Sequence, residues 1–223
     1  MKALSLLLLV GCGEVKNTVP DAAKSDGPTP DQGSSIDAPA DADLSPRKVF
    51  VTSTTYAGNL NGLAGADVIC QARAQAATLP GMYKAWLADA NLSPATRMTH
   101  GLGPYQLVSG TVIATSWADL TDGTLAAPVN RTELGGLLGG TGCSGTGCNF
   151  VCEGGEFWSN VNADGTRNTA TGDCTTWTVT AGTGIAGTGT AGNVGKTALQ
   201  WTQGTCSSIG CGNATLPIMC VQQ

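Results

Sequence analysis

The sequence predicts an α+β domain with long loops, stapled by disulfide bonds and preceded by a disordered tether. Short segments with alternating apolar residues, which predict strands, are interspersed with one amphipathic helical pattern. The 32 glycines, about twice the usual share, indicate many turns and loops. Nine cysteines are present, and setting aside Cys12 leaves eight, an even number that predicts a disulfide framework in an exported domain.

The first eleven residues (1–11) predict an export signal. Lys2 precedes an apolar run that ends at Val10, which is the charge-then-hydrophobic layout of a secretory signal peptide. The run is much shorter than the roughly 20 apolar residues that a membrane-spanning helix needs.

A lipid attachment site follows the signal directly. Leu9-Val10-Gly11-Cys12 resembles the lipobox of bacterial lipoproteins, which implies that Cys12 becomes the N-terminus and carries acyl chains. Each buried methylene contributes about 0.8 kcal/mol, so several chains would anchor the protein firmly and make the lipid bilayer a partner. An ordinary signal peptide followed by an unrelated cysteine is the alternative.

Residues 12–46 are predicted to be the lipidated cysteine and a disordered linker. Gly13 to Pro46 contains no aromatic residue and is rich in Asp, Ala, Pro, Ser and Gly. Such a segment cannot bury enough apolar surface to offset the entropy of ordering, and its prolines and like charges extend it into a spacer. The composition changes at Arg47, and residues 47–223 are predicted to form one domain.

The charge of the chain excludes several classes of partner. Its net charge is −5 and its estimated pI is 4.6. Lysines and arginines form no cluster. We therefore expect no nucleic acid, heparin or anionic membrane surface as partner.

The first half of the domain contains a strand, a helix and a second strand in that order. Val49 and Val51 alternate with Phe50, which predicts a strand from Lys48 to Ser53. Apolar residues then recur with a period near 3.6 from Leu63 to Ala77, and Asn61 is a candidate helix cap. Pro80 and Gly81 end this helix before a strand at 83–88.

A hairpin, a short helix and a final strand follow. Tyr105–Val108 and Thr111–Ala114 flank Ser109-Gly110, a hairpin signal. Ser116 is placed to cap a helical turn ending at Leu120. The last predicted strand runs over residues 216–221.

Several segments of the domain occur, in the same order, in bacterial endostatin-like lipoproteins. They include Phe50-Val51-Thr52-Ser53, Gly62-Leu63-Ala64-Gly65-Ala66-Asp67, Cys70-Gln71-Ala72-Arg73, Tyr83-Lys84-Ala85-Trp86-Leu87 and Trp117-Ala118-Asp119-Leu120-Thr121-Asp122-Gly123. The domain resembles that family over about residues 48–221, and animal endostatin shares Cys174-Thr175-Thr176-Trp177 more faintly. The resemblance implies a C-type-lectin-like fold. Spirochaete members resemble surface adhesins that bind host matrix proteins and complement regulators.

The same resemblance implies part of the disulfide framework. In that family's fold, one disulfide bond would join Cys70 to Cys220, and a second would join Cys174 to Cys211 or to Cys206. The remaining cysteines, which are Cys143, Cys148, Cys152 and one of Cys206 or Cys211, would pair locally. The spacing of Cys148 and Cys152 also suits zinc, but thiols of exported proteins oxidise and the single histidine is remote in sequence.

One segment resembles a calcium-binding loop. Asn160, Asn162 and Asp164 supply oxygen-bearing side chains at positions 1, 3 and 5, and Gly165 follows at position 6, as at the start of an EF-hand loop. Position 12 is Thr171, where a bidentate glutamate is expected. A polar turn built by Asn, Asp and Gly is the alternative. No cofactor is predicted, and calcium is the only candidate.

Catalytic residue types are present, but their patterns favour a protein that is not an enzyme. His100, the single histidine, lies in a glycine-bounded loop without a Gly-x-Ser-x-Gly elbow. Glu153 and Glu156 could imitate the carboxylate pair of a glycosidase, although glutamates in a glycine-rich loop are more often solvated.

The tryptophans are candidates for a core and for a binding surface. Trp86, Trp117 and Trp177 lie on segments that match the family and are expected in the core. Trp158 and Trp201 flank long loops, where an exposed indole could stack on a sugar ring or anchor a protein. Burial in the core is the alternative for both.

These features predict an outer-membrane lipoprotein, lipid-anchored at the cell surface. Its domain would be a non-catalytic recognition module for an extracellular protein or polysaccharide, bound through the loops at 143–152 and 181–211. A structural envelope lipoprotein without a specific ligand is one alternative. A hydrolase that uses Glu153 and Glu156, or His100, is another. The sequence predicts neither the ligand nor the oligomeric state.

Overall fold

The computed structural model describes ten segments of the chain. They are residues 43–138, 143–144, 151–152, 155–169, 172–179, 188–189, 191–193, 197–203, 209–212 and 215–223. These segments form a mixed α+β domain with one five-stranded sheet, so the predicted α+β class is confirmed. The finer C-type-lectin-like fold stays a prediction.

The described chain contains short strands and one long helix. The strands are β1 (Arg47–Val51), β2 (Tyr83–Ala85), β3 (Tyr105–Leu107), β4 (Val112–Ala114), β5 (Cys143–Ser144), β6 (Val151–Cys152), β7 (Glu156–Trp158), β8 (Thr188–Gly189), β9 (Ala191–Asn193), β10 (Ile209–Gly210) and β11 (Met219–Gln222). The helices are α1 (Gly62–Ala76), α2 (Pro94–Arg97), α3 (Trp117–Leu120), α4 (Cys174–Trp177) and α5 (Gln200–Gln203). No helix of the described residues is long and apolar enough to cross a membrane.

The main sheet has the strand order β2-β11-β1-β3-β4. Its central strand β1 is antiparallel to β11, with Val49 opposite Val221, and parallel to β3, with Val49 opposite Leu107. Two-stranded pairs β5–β6, β7–β9 and β8–β10 lie outside this sheet. The strand near the start of the domain and the strand at its end are therefore neighbours.

Two apolar clusters receive the alternating side chains of β1. Val49 and Val51 belong to one cluster with Trp86 and Trp201, while Phe50 belongs to the other with the helix α1. Since successive side chains of a strand point to opposite faces, one strand contributes to both clusters. The alternation predicted for this strand is confirmed.

Helix α1 packs its apolar side on the second cluster. Leu63, Ala66, Cys70 and Ala74 are buried there, at the spacing that puts side chains on one face. The predicted helix at 63–77 is confirmed within one residue. The cap is different, because Asn61 is left-handed at φ 59° and its side chain makes no capping hydrogen bond. Asn61 is therefore the N-cap residue, as predicted, but its side chain does not cap the helix.

Other predicted elements are confirmed with changed bounds. The hairpin appears as the antiparallel pair β3–β4, and the Ser116 side chain accepts a hydrogen bond from the Asp119 N–H at the start of α3. The predicted strand at 83–88 ends at Ala85. The last strand begins at Met219 and not at Leu216, which makes only an isolated bridge to Tyr56.

Helix α4 is a single left-handed turn. Its four residues, Cys174 to Trp177, have φ between 50° and 64°, although none is glycine. Left-handed helical residues cost roughly 1–2 kcal/mol each, so surrounding contacts must hold the turn. The Asp173 carboxylate accepts from the Thr176 N–H at 3.0 Å, and the Trp177 indole donates to the Ala88 carbonyl at 2.8 Å.

Two disulfide bonds connect elements that are distant in sequence. Cys70 of α1 bonds to Cys220 of β11, with a sequence separation of 150, and Cys174 bonds to Cys211, with a separation of 37. These are the two pairs that the resemblance implies, with Cys211 as the partner of Cys174.

The remaining predicted pairs are only partly described. The β5–β6 register places the backbone of Cys143 opposite that of Cys152. Cys148 and Cys206 lie outside the described residues, as does Cys12, so local pairing and lipidation stay predictions.

The last residues assigned to the linker lie against the domain. Asp43 accepts a hydrogen bond from the buried Arg47 guanidinium at 3.2 Å. A Cβ added at Gly103 would lie 2.2 Å from the Leu44 carbonyl oxygen, so glycine permits this close approach. The described domain therefore begins a few residues before the predicted boundary at Arg47.

Candidate functional site

A polar cleft lies where three loops of the domain meet. Its volume is about 370 Å³. The lining comprises Thr121, Asp122, Gly123, Asn162, Ala163, Asp164, Leu199 and Gln203. These residues come from the end of α3, from the loop after β7 and from α5 with the residue before it. The cleft is thus assembled by the fold from distant parts of the chain.

Two walls of the cleft are turns with the same tripeptide, Asp-Gly-Thr. In the first turn, Asp122 Oδ1 accepts from the backbone N–H of Thr124 at 2.8 Å and from its hydroxyl at 3.0 Å. In the second, Asp164 Oδ1 accepts from the same two groups of Thr166, at 2.9 and 2.6 Å. Asp is favoured in such turns because its side chain bonds the backbone two residues on. Each carboxylate is therefore fixed through one oxygen.

The second oxygen of each carboxylate is not used by the residues that the structure describes. Oδ2 of Asp122 and Oδ2 of Asp164 make no hydrogen bond to the described residues. Both side chains are exposed and line the cleft. An ionised carboxylate accepts strong, charge-assisted hydrogen bonds, so these oxygens can receive donors from a bound molecule.

Glycine is required at the centre of each turn. Gly123 has φ +101° and Gly165 has φ +79°, which side chains rarely adopt. A Cβ at Gly123 would also lie 2.9 Å from the Leu199 Cδ2 atom across the cleft. The first turn and Leu199 therefore touch closely, which brings an aliphatic side chain into an otherwise polar lining.

Hydrogen bonds join the three walls into one frame. The Gln203 side-chain amide donates to Asn162 Oδ1 at 2.8 Å, and Asn162 donates to Thr166 Oγ1 and to the Arg167 carbonyl, both at 3.0 Å. The Leu125 N–H donates to the Thr197 carbonyl at 2.6 Å. These hydrogen bonds, both between the walls and within them, fix the shape of the cleft.

The charge of the lining is negative. Among the described lining residues, two are aspartates and none is lysine, arginine or histidine. A site of this composition attracts hydroxyl and amine donors and repels anions. The overall net charge of −5 has the same sign.

The candidate calcium loop forms the second wall of this cleft. Asn160 is buried with a left-handed φ of 62°, and its amide donates to the Ala88 carbonyl at 3.4 Å. The Asn162 side chain is hydrogen-bonded to Thr166, Arg167 and Gln203. Asp164 alone in this loop has a carboxylate oxygen that accepts no hydrogen bond from the described residues. Thr171 lies outside the described residues, and these residues contain no group of three or more His, Cys, Asp or Glu that could hold a metal ion. The geometry is that of a polar turn.

The candidate surface tryptophans are core residues, so the interpretation of burial in the core is confirmed for both and the binding-surface alternative is excluded. Trp158 is 0% exposed and Trp201 is 1% exposed. The Trp158 indole donates to the Tyr56 carbonyl at 2.7 Å and packs edge-on against Trp177, while Trp201 lies 5.3 Å from Trp86 between ring centroids. Buried rings cannot stack on a ligand from solvent.

The remaining predicted core tryptophans differ in exposure. Trp86 and Trp177 are fully buried, as expected. Trp117 is only partly buried, and its ring stacks on the exposed His100 ring with centroids 4.1 Å apart and planes 8° apart. His100 makes no hydrogen bond to the described residues, so nothing there orients either of its nitrogens as a catalytic base requires.

The candidate glutamate pair is only half described. Glu156 on β7 is partly buried, and burial raises the pKa of its carboxyl group. It forms no ion pair or side-chain hydrogen bond with the residues that the structure describes. Glu153 lies outside those residues, as do most of the loops at 143–152 and 181–211 through which the sequence predicts binding.

A second depression lies on a different part of the surface. It has a volume of about 330 Å³ and includes Leu79, Val108, Glu133 and the exposed Leu134 in its lining. The Glu133 carboxylate is occupied by Ser53 and Arg73. This depression therefore offers apolar contact but no unused charge.

Sequence reasoning missed most of the cleft. Asp122, Leu199 and Gln203 were not candidates, and Asp164 was a candidate only for calcium. The repeated tripeptide at 122–124 and 164–166 is the signal that could have found it. Nothing in the sequence shows that the two turns face one cleft.

The chain matches no model of a known protein family, and no curated protein matches it. The endostatin-like resemblance therefore stays a prediction.

Proposed function

We propose that this chain is a lipid-anchored envelope protein whose domain is a non-catalytic recognition module for an extracellular polysaccharide or protein. The observation that carries this proposal is the polar cleft, in which Asp122 and Asp164 each present an unused carboxylate oxygen. Cys12 and the linker up to residue 46 would hold the module at the outer membrane and expose it at the cell surface.

Rigidity of the site supports a recognition role. Both carboxylates are fixed by their own turns, and Gln203 bonds to Asn162 across the cleft. A site that is ordered before its ligand arrives avoids part of the entropy cost of binding.

The surroundings of the two carboxylates argue for binding without catalysis. A carboxyl group that acts as a general acid near neutral pH needs an apolar enclosure. Asp122 and Asp164 are both exposed, and the described lining residues include no histidine, cysteine or lysine that could act as base or nucleophile. The described lining can therefore hold a ligand and supplies no residue of these types for catalysis.

The sequence resemblance agrees with this proposal. Endostatin-like lipoproteins have a C-type-lectin-like fold, and spirochaete members resemble adhesins. An α+β domain with short strands, long loops and these two disulfide pairs is compatible with that fold. Fold alone does not fix a ligand, so the cleft carries the functional argument.

The proposal is tested by binding of the purified, oxidised chain that starts at residue 12, with Cys12→Ser to remove the lipid. The chain would be applied to an array of extracellular proteins and polysaccharides, and the same ligands would be assayed for turnover. We expect saturable binding without turnover. Silence across the array would favour a structural envelope lipoprotein, and turnover abolished by His100→Ala or Glu156→Gln would establish the hydrolase alternative.

A further inference from the structure

We infer that the cleft binds an uncharged hexose unit of a polysaccharide, with Asp122 and Asp164 accepting its hydroxyl groups and Leu199 covering its apolar face. This inference rests on the proposed function and names the ligand class for the same site.

The size of the cleft is the first argument. Ligand sites commonly span roughly 300–1,000 Å³, and this cleft of about 370 Å³ lies at the small end. It therefore suits a single sugar ring that protrudes from a longer chain.

The mixture of side chains is the second argument. A sugar ring has hydroxyl groups around its edge and C–H groups on its faces, so its binding site needs acceptors, amides and one apolar surface together. The lining supplies these as Asp122, Asp164, Gln203 and Leu199, and 54% of the Leu199 surface is exposed. The apolar side chain lies beside the first turn, because its Cδ2 atom approaches Gly123 closely.

The sign of the charge is the third argument. Hydroxyl groups donate to ionised carboxylates in short, strong hydrogen bonds. An acidic sugar would bring a third negative charge beside Asp122 and Asp164, and none of the described lining residues is a cation. The cleft should therefore select a neutral hexose over the corresponding uronic acid.

The experiment is a titration of the oxidised chain that starts at residue 12, with Cys12→Ser, followed by ligand-detected NMR. The probes are glucose, galactose, mannose and N-acetylglucosamine, with glucuronic and galacturonic acid as the charged counterparts. We expect at least one neutral sugar to bind saturably, about tenfold or more tightly than its acidic counterpart.

Substitutions of lining residues test whether the sugar binds in the cleft. Asp122→Asn and Asp164→Asn keep an oxygen for each turn but remove the charge, and each should weaken binding about tenfold or more. Asp89→Asn is the matched control, because Asp89 Oδ1 also accepts from two backbone N–H groups, of Asn91 and Leu92, outside the cleft. Leu199→Ala should weaken binding about fivefold, whereas Leu134→Ala, on another exposed leucine, should not.

The outcomes separate this inference from the proposed function. If no neutral sugar binds but the chain binds a protein on the array, the inference is overturned and the recognition role stands. If nothing binds in either assay, both are overturned. Sugar binding that Asp122→Asn and Asp164→Asn leave unchanged would also overturn it, as would binding that disappears with a calcium chelator, because a metal would then hold the sugar.

Discussion

Arg73 of helix α1 donates from its Nε atom to the Glu133 carboxylate at 2.7 Å and thereby ties the helix to the loop that follows α3. The Glu133 side chain is 0% exposed, whereas the Arg73 side chain is 26% exposed. Ser53 donates to the same carboxylate from its backbone at 2.8 Å and from its hydroxyl at 2.7 Å. The enclosed charge is thus fully supplied with donors.

Removing the Arg73 cation should lower the free energy of unfolding more than removing the Glu133 carboxylate charge. Arg73→Met leaves an enclosed carboxylate without its cation, which costs on the order of 3–5 kcal/mol of unfolding free energy. Glu133→Gln leaves the partly exposed Arg73 with access to water and should cost less. Chemical denaturation of the oxidised chain measures both values. An equal or smaller loss for Arg73→Met would contradict the interpretation.

The stability contributed by Glu133 should fall on acidification. Burial alone would raise its pKa, but hydrogen bonds from Ser53 and Arg73 outweigh burial and lower the pKa below its ordinary value of 4.5. A carboxyl group with a lowered folded pKa contributes stability above its unfolded pKa and loses it as the pH falls through the folded value. We therefore expect the unfolding free energy to decline below about pH 4.5 in the wild-type chain. The decline should be shallower in Glu133→Gln, and identical slopes would count against the assignment.

The two disulfide bonds that the structure describes should differ in their contribution to stability. The bond from Cys70 to Cys220 spans 150 residues and that from Cys174 to Cys211 spans 37. The chain-entropy model gives about 5 and about 4 kcal/mol for loops of these lengths. Paired alanine substitutions at each bond, compared by urea unfolding, should show the larger loss for the longer loop. The reverse order would mean that native contacts outweigh loop length.

Gly58 should tolerate no side chain. A Cβ there would lie 2.4 Å from Cys174 Sγ and 2.8 Å from Cys211 Cβ. Gly58→Ala should therefore cost about 1–3 kcal/mol through overpacking against this disulfide bond. Gly136→Ala is the control, because its nearest contact is the Thr132 Oγ1 atom at 3.2 Å. Thermal unfolding and a count of free thiols measure the effect, and equal stability of the two variants would refute the steric account.

Patterns within short segments of the sequence predicted strand β1 and helix α1. The alternation of Val49, Phe50 and Val51 and the 3.6-residue period of α1 specify which face is buried, and both appear in the structure. The left-handed turn α4 could not be predicted, because no glycine or asparagine marks it and tertiary contacts such as the Trp177–Ala88 hydrogen bond help to hold it.

The candidate site likewise has one part that the local sequence predicts and one part that it does not. The turn chemistry of Asn162, Asp164 and Gly165 was readable in the sequence. Its apposition to Asp122 depends on how α3, α5 and the loop after β7 pack, which no local pattern encodes. Burial of Trp158 and Trp201 likewise depends on partners far away in the chain, namely Trp177 and Trp86.

The antiparallel pairing of β1 with β11 bears on how the domain can be engineered. Because Val49 lies opposite Val221, the register places Arg47 opposite Gln223 at one end of the sheet. The Lys48 backbone N–H donates to the Gln222 side-chain oxygen at 2.8 Å. Neighbouring strands lie about 5 Å apart. A few added residues could therefore close the domain into a ring, and new ends could be opened in a surface loop. A fluorescent reporter fused after Gln223 would attach at the end of the sheet where Arg47 lies.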